Sequence, residues 1–129
     1  MPVNSNSDRF IPPAAMDDPK QIRKSRVRIR ENAFFAKLAG FCLREDQVAI
    51  TIGNRIYLHH SSVNSFLANK SWVAHELAHV RQFATYGLIR FLWMYLWESC
   101  LKGYYNNKWE VAARQQETDL TILEDFTFV

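Results

Sequence analysis

Hydrophobic and polar residues alternate along three short runs of the chain, at residues 26–30, 47–52 and 55–59. A period of two is typical of a β-strand with one face on the core and the other in water. Gly53-Asn54 separates the second run from the third, and two such residues between β-rich runs predict a hairpin. We therefore predict a small antiparallel sheet.

Apolar residues in most of the remaining chain follow the helical period instead. Gly87 and Gly103 separate the last three helical segments. Strands followed by helices indicate the α+β class, with the small sheet packed on the helices. Residues 124–129 are expected to form a loose tail or a short edge strand. The predicted helices are residues 33–43, 64–68, 70–86, 88–101 and 109–117.

The chain of 129 residues is long enough for one domain with a single core. Residues 1–24 are polar and contain three prolines in the first thirteen positions, so we expect a mobile N-terminal segment before a domain at residues 25–129. The N-terminus lacks the apolar stretch of a secretion signal. Cys42 and Cys100 lie in apolar helical windows, which predicts buried free thiols. Together these features indicate a cytoplasmic protein.

The net charge of +3 is unevenly distributed, because residues 20–30 contain six basic residues and no acid. The alternation at residues 26–30 favours an edge strand that its charge protects from pairing with other chains. An anionic partner is the alternative. No aromatic residues interleave with the arginines, so we expect no nucleic acid and at most weak contact with a membrane surface.

The most apolar stretch, residues 88–97, is too short to span a bilayer. We predict a buried aromatic helix there; docking on a membrane surface or on a partner is the alternative.

The motif with the clearest chemistry is His75-Glu76-Leu77-Ala78-His79. Two histidines four residues apart on a helix project from the same face and can bind one metal ion, for which zinc is suited. Glu76 then lies close enough to act as a general base toward a metal-activated water. The sequence thus predicts one Zn²⁺ per chain, held by His75 and His79, with Glu76 as the catalytic residue.

A catalytic zinc usually has three protein ligands. The metzincin pattern is absent, because Gln82 and Thr85 occupy the positions where its glycine and third histidine would stand. No histidine follows His79, so the candidates are acidic residues. They are Glu98, Glu110, Glu117 and Asp119.

Glu110 is the best candidate because it opens a new helix after the turn-prone Asn106-Asn107. His75 to His79 followed by Glu110 to Ala113 resembles the gluzincin branch of zinc metallopeptidases, in which a Glu-x-x-Ala segment supplies the third ligand. From about residue 27 to 117 the chain is similar to small metallopeptidase domains of this kind. The resemblance implies a zincin-like fold with the motif on a central helix, and a metal site of His75, His79 and Glu110.

The chain departs from this pattern at Arg114, where many such zincins carry an acid that orients a zinc-bound histidine. Glu117, Asp119 or a backbone carbonyl is expected to replace it. Tyr104 and Tyr105 are candidate oxyanion stabilisers.

These residues predict a zinc metallopeptidase acting on a peptide or protein substrate, for which the strand at residues 55–59 could supply a binding edge. A zinc-stabilised binding module with little or no catalysis is the alternative.

Overall fold

The structure, a computed structural model, describes residues 24–31 and 47–129. Strand β1 spans Ser25–Arg30, β2 spans Val48–Ile52, β3 spans Arg55–His59 and β4 spans Phe126–Phe128. Three predictions lie outside the described residues. They concern the helix at residues 33–43, Cys42, and the N-terminal segment apart from Lys24.

The four strands form one mixed sheet in the order β2-β3-β1-β4. The predicted hairpin is confirmed, because β2 and β3 are antiparallel and Gly53 adopts a φ of 66° in the turn between them. The prediction of an antiparallel sheet is wrong for the other pairs, since β1 runs parallel to both β3 and β4. These pairings join segments far apart in the chain, and local periodicity does not report them.

β1 therefore lies inside the sheet, and its interpretation as an edge strand is wrong. Its parallel register places Arg28 beside Arg55 of β3. In the sheet of the described residues, β2 and β4 are the edge strands. The same order corrects the expectation for β3, which is paired on both sides and offers no free edge to a peptide.

Helices cover the inner face of the sheet and confirm the α+β class. Helix α1 spans Val63–Ala68, α2 Lys70–Tyr86, α3 Leu88–Asn106 and α4 Lys108–Gln116, and a 3₁₀ helix spans Leu120–Asp125. The side chain of Asn69 accepts a hydrogen bond from the Trp72 amide and caps the start of α2. Gly87, with a φ of 89°, ends this helix.

Helix α2 is central to the core and is buried along its whole course from Val73 to Val80. Its apolar residues pack against Val27, Ile56 and Leu58 of the sheet. Ala84, near the end of this helix, is exposed. The motif helix is thus held by packing on nearly every side, which fixes the side chains of its histidines.

Helix α3 departs from the prediction of a buried helix. Only Phe91 and Glu98 of this helix are buried, and its backbone leaves the helical conformation at Gly103, which has a φ of 80°. Cys100, predicted to be buried, is exposed on it. We call the exposed apolar side of α3 the outer face; its residues are Leu88, Ile89, Leu92, Trp93, Leu96, Trp97 and Leu101.

The described part of the chain has no helix that combines the length and apolar character needed to cross a membrane.

The inward side of α3 joins α2 and α4 through aromatic rings. The Phe91 ring lies 4.7 Å from the Phe83 ring of α2 and 5.2 Å from the Trp109 ring of α4, measured between centroids. Edge-to-face contacts of this kind add to the stabilisation from burial. This cluster fixes α4 relative to α2, and therefore fixes Glu110 relative to the two histidines.

Candidate metal centre

The two histidines of α2 and one glutamate of α4 meet in the interior. Nε2 of His75 lies 3.0 Å from Oε1 of Glu110, and Nε2 of His79 lies 3.2 Å from Oε2 of the same carboxylate. One ligand atom from each of the three residues lies within 4.8 Å of the other two. The structure therefore brings together the three residues that the sequence indicated as metal ligands.

The other ring nitrogen of each histidine also has a partner. Nδ1 of His75 lies 2.7 Å from Oε2 of Glu117, and Nδ1 of His79 lies 2.9 Å from Oε1 of Gln82. The Gln82 amide donates in turn to the Trp109 carbonyl at 3.1 Å, which fixes its orientation. Such partners hold the Nδ1 proton and leave the Nε2 lone pair free for a metal.

Glu117 lies where an orienting acid was expected, and Arg114 has a different role. The Arg114 guanidinium donates to the Tyr105 carbonyl at 2.6 Å and lies 4.0 Å from the centre of the Tyr105 ring. The two helical turns between Glu110 and Glu117 bring the second acid to the outer side of His75. Glu117 thus contacts Nδ1 of His75, although it lies three residues beyond position 114, where the family pattern has its acid.

A buried asparagine and a tyrosine hold Glu110 in place. Asn107 is fully buried, caps α4 through the Trp109 amide at 2.8 Å and donates to the Tyr95 carbonyl at 3.1 Å. The Tyr95 hydroxyl donates to Oε2 of Glu110. Sequence reasoning missed Tyr95 and Asn107, since a tyrosine within an aromatic helix and an asparagine at a turn each have a commoner structural explanation.

Burial and mutual contacts shift the pKa values of His75 and Glu110. Burial lowers the pKa of His75, but hydrogen bonds with Glu110 and Glu117 and the charge of Glu76 outweigh it and raise the pKa to about 9. Burial also opposes the charge on Glu110, yet hydrogen bonds from both histidines hold the pKa of its carboxyl well below the usual range. The raised pKa of His75 and the lowered pKa of Glu110 both favour an ion pair between the two side chains.

We expect the metal-free protein to lose stability between about pH 6.5 and pH 9, because His75 has a folded-state pKa of about 9 and an ordinary value of 6.5. Its protonated form stabilises the fold fully below the lower value, and this contribution is lost as the pH rises through the upper one. The loss is about 3 kcal/mol in the free energy of unfolding. Urea denaturation with chelator present measures it; a free energy that stays constant over this range would contradict the assignment.

Glu76 is buried beside the cluster and is held by the sheet. The Thr51 hydroxyl of β2 donates to its Oε1 at 2.8 Å. Burial raises the pKa of Glu76, while the charges of His79 and His75 oppose this rise. A carboxylate whose pKa is raised toward neutrality is suited to accept a proton and to return it.

The other acidic candidates have structural roles. Glu98 accepts a hydrogen bond at 3.1 Å from the amide of Lys108, the first residue of α4, and forms an ion pair at 3.2 Å with Lys102 on its own helix. Asp119 accepts hydrogen bonds from Thr121 and caps the 3₁₀ helix. Neither carboxylate belongs to the histidine cluster.

We expect Glu110→Ala to lower zinc affinity at least about tenfold, since even changes outside the ligand shell cost that much. Glu98→Ala is the matched control and should leave the affinity unchanged. It should cost about 1 kcal/mol of stability, because the first amide of α4 loses its acceptor. Competition titrations against a chelator compare the two variants, and the reverse order of affinities would exclude Glu110 as a ligand.

The two candidate oxyanion donors differ in position. Tyr104 is 44% exposed, but partial burial of its phenol, the charges of Glu110 and Glu76 and a hydrogen bond with Glu110 raise its pKa, so the neutral phenol lies close to the cluster. The Tyr105 ring instead packs beneath Arg114 and is 68% exposed. Tyr104 is therefore the better placed of the two.

The donor set fits a tetrahedral zinc ion. Bonds of about 2.0–2.2 Å in that geometry separate neighbouring donor atoms by roughly 3.3 Å. The imidazole nitrogens lie 3.0 and 3.2 Å from the two different oxygens of Glu110, and one donor atom from each residue lies within 4.8 Å of the others, so small side-chain movements bring the set to this separation. Two neutral imidazoles and one carboxylate form a donor set that zinc prefers. The Nδ1 atom of each imidazole, on the side away from the cluster, is hydrogen-bonded.

Comparison with known proteins gives a match to a family model that spans the motif. The sequence model of a family described as the eCIS core domain matches residues 14–86, more than half of the chain. The match includes His75, Glu76 and His79 and ends before Glu110. No match was found among curated proteins or among solved structures. The extent of the match shows that this chain belongs to the eCIS core domain family.

Proposed function

We propose that this protein is a zinc-dependent peptidase of the gluzincin type. The observation that supports this most strongly is the convergence of two imidazole Nε2 atoms on one buried carboxylate, with both Nδ1 atoms held by other side chains. His75, His79 and Glu110 would hold the ion. Bound there, zinc would lower the pKa of a water molecule and polarise a substrate carbonyl.

Glu76 is the proposed general base. It would take a proton from the attacking water and give it to the leaving amine. Thr51 holds one oxygen of Glu76 through a 2.8 Å hydrogen bond, so the carboxylate keeps a fixed orientation during this transfer. The Tyr104 phenol is the proposed donor to the oxyanion, since it is protonated and lies beside Glu110.

The substrate is proposed to be an extended peptide or protein segment bound along β2. This strand is an edge of the sheet of the described residues, and it also carries Thr51, which contacts Glu76. Main-chain groups on the free side of an edge strand can pair with an extended peptide. A peptide bound there would pass close to the proposed base.

The experiment that tests this function is peptide hydrolysis by the full chain after metal removal and after metal return. We expect cleavage of an unstructured protein substrate such as casein by the zinc-loaded protein, loss of cleavage with chelator, and recovery with zinc. Zinc-dependent cleavage that persists in His75→Ala would show that the activity arises elsewhere.

One observation favours the alternative of a zinc-stabilised binding module. The exposed fractions of the residues are 9% for His75, 5% for Glu76, 6% for His79 and 3% for Glu110, so the centre lies below the surface. A structural zinc site is closed, whereas a catalytic site keeps one position open to water and substrate. A protein that binds zinc and gains stability from it, but cleaves no peptide, would support this alternative.

A further inference from the structure

The outer face of α3 is a large apolar surface that the described part of the chain leaves uncovered. Trp93 and Trp97 are 70% and 68% exposed, and the five aliphatic residues of the face are between 37% and 64% exposed. At 150–250 Å² for each aromatic side chain, the two tryptophans alone expose roughly 300 Å². With the aliphatic residues, the face exceeds the largest apolar patch of a typical monomer, which is roughly 300–600 Å².

The spacing of these residues shows that the face is continuous. Three adjacent pairs repeat every four residues, Leu88-Ile89, Leu92-Trp93 and Leu96-Trp97, and Leu101 follows four residues after Trp97. Phe91 and Glu98 point to the opposite side, where they are buried against the domain. A helix that is apolar on all sides is normally buried. Here one half of the helix is covered by the domain, and the other half requires a second apolar environment.

The charges around the face favour an anionic environment. The one acid of α3, Glu98, is buried and paired with Lys102, while Arg90 is exposed beside the apolar residues. Arg26 of β1 is also exposed, and it lines a groove together with Leu88 at the start of α3; the one acid among the described residues that line this groove, Asp125, is paired with Arg81. The basic strand found in the sequence and the apolar helix therefore meet at one end of the outer face.

We propose that the outer face of α3 docks on an anionic lipid surface, with its tryptophans at the level of the headgroups and Arg90 and Arg26 against the lipid phosphates. Tryptophan prefers this interfacial depth, and basic residues beside an apolar helix face are attracted to anionic lipids. A second copy of the chain fits the charges less well. In a two-fold dimer on this face, α3 would present no exposed acid to pair with Arg90 of the other copy.

Vesicle binding of the full chain tests the proposal. We expect co-sedimentation with phosphatidylcholine vesicles that contain phosphatidylserine, and much weaker binding to phosphatidylcholine alone. Brominated lipids should quench tryptophan fluorescence on binding. The double variant Trp93→Ser and Trp97→Ser should lower binding at least about tenfold with little change in thermal stability, because both side chains are exposed.

Two further variants separate charge from apolar contact. Arg26→Glu with Arg90→Glu should lower binding to anionic vesicles at least about fivefold for each residue. Val129→Ser, at an exposed apolar position outside α3, is the matched control and should bind as the wild type does. Equal binding by the wild type and the tryptophan variant would overturn the proposal. So would a dimer in lipid-free solution that the tryptophan variant dissociates, since the face would then be a protein interface.

Discussion

Glu76→Gln is expected to abolish peptide hydrolysis while leaving zinc bound. Glutamine keeps the size of the side chain and can still accept the hydrogen bond from Thr51, but it cannot take up a proton. General acid–base catalysis contributes roughly 10²–10⁴-fold, so we expect kcat/KM to fall at least about a hundredfold. The measurement is a comparison of hydrolysis rates between zinc-loaded proteins of equal metal content.

Glu124→Gln is the matched control, because Glu124 is exposed and lies outside the cluster. It should hydrolyse the substrate at the wild-type rate. Loss of zinc from Glu76→Gln would show that Glu76 is a ligand rather than a base. Unchanged hydrolysis by this variant would remove Glu76 from the proposed mechanism.

Replacing either histidine by alanine is expected to abolish zinc retention, since the two ligands that remain bind a metal weakly. Zinc at about one hundred times its Kd should raise the free energy of unfolding of the wild type by about 2.7 kcal/mol. It should leave His75→Ala and His79→Ala unaffected. Chemical denaturation with and without zinc measures the difference for each protein.

His60→Asn provides the control for histidine loss. His60 lies outside the cluster and has a φ of 58°, a conformation that asparagine tolerates. This variant should gain the same stability from zinc as the wild type. A zinc-dependent gain that persists in both alanine variants would exclude His75 and His79 as the ligands.

The sequence predicted the local elements of the fold well and its long-range pairings poorly. The predicted bounds of the motif helix agree with Lys70–Tyr86, and Gly53-Asn54 predicted the β2–β3 hairpin. Each of these features depends on a few neighbouring residues. The parallel pairing of β1 with β3 and β4 joins distant segments. In a sheet with one face in water, an edge strand and an inner strand show the same alternation of polar and apolar residues.

For the site as well, the sequence predicted what depends on local spacing and missed what depends on packing between distant segments. The spacing of His75 and His79 is a property of one helix, so the sequence indicated both directly. Glu110 came from the resemblance to gluzincins and from its place at the start of a helix. Tyr95 could not be found in this way, because its contact with Glu110 depends on how the helices pack. Gln82 lies only three residues from His79 on α2, but its orientation depends on the Trp109 carbonyl of α4. The exposure of α3 was missed for the same reason, since an apolar helix gives no sign of which half is covered.

Elemental analysis of the full chain is the most direct test of the proposed metal centre. The protein would be purified without chelator, reloaded with zinc and freed of excess metal, with His75→Ala treated in parallel. We expect one zinc ion per wild-type chain and background zinc in the variant, because His75, His79 and Glu110 provide one complete donor set. A wild-type protein that retains no zinc after reloading would contradict the account.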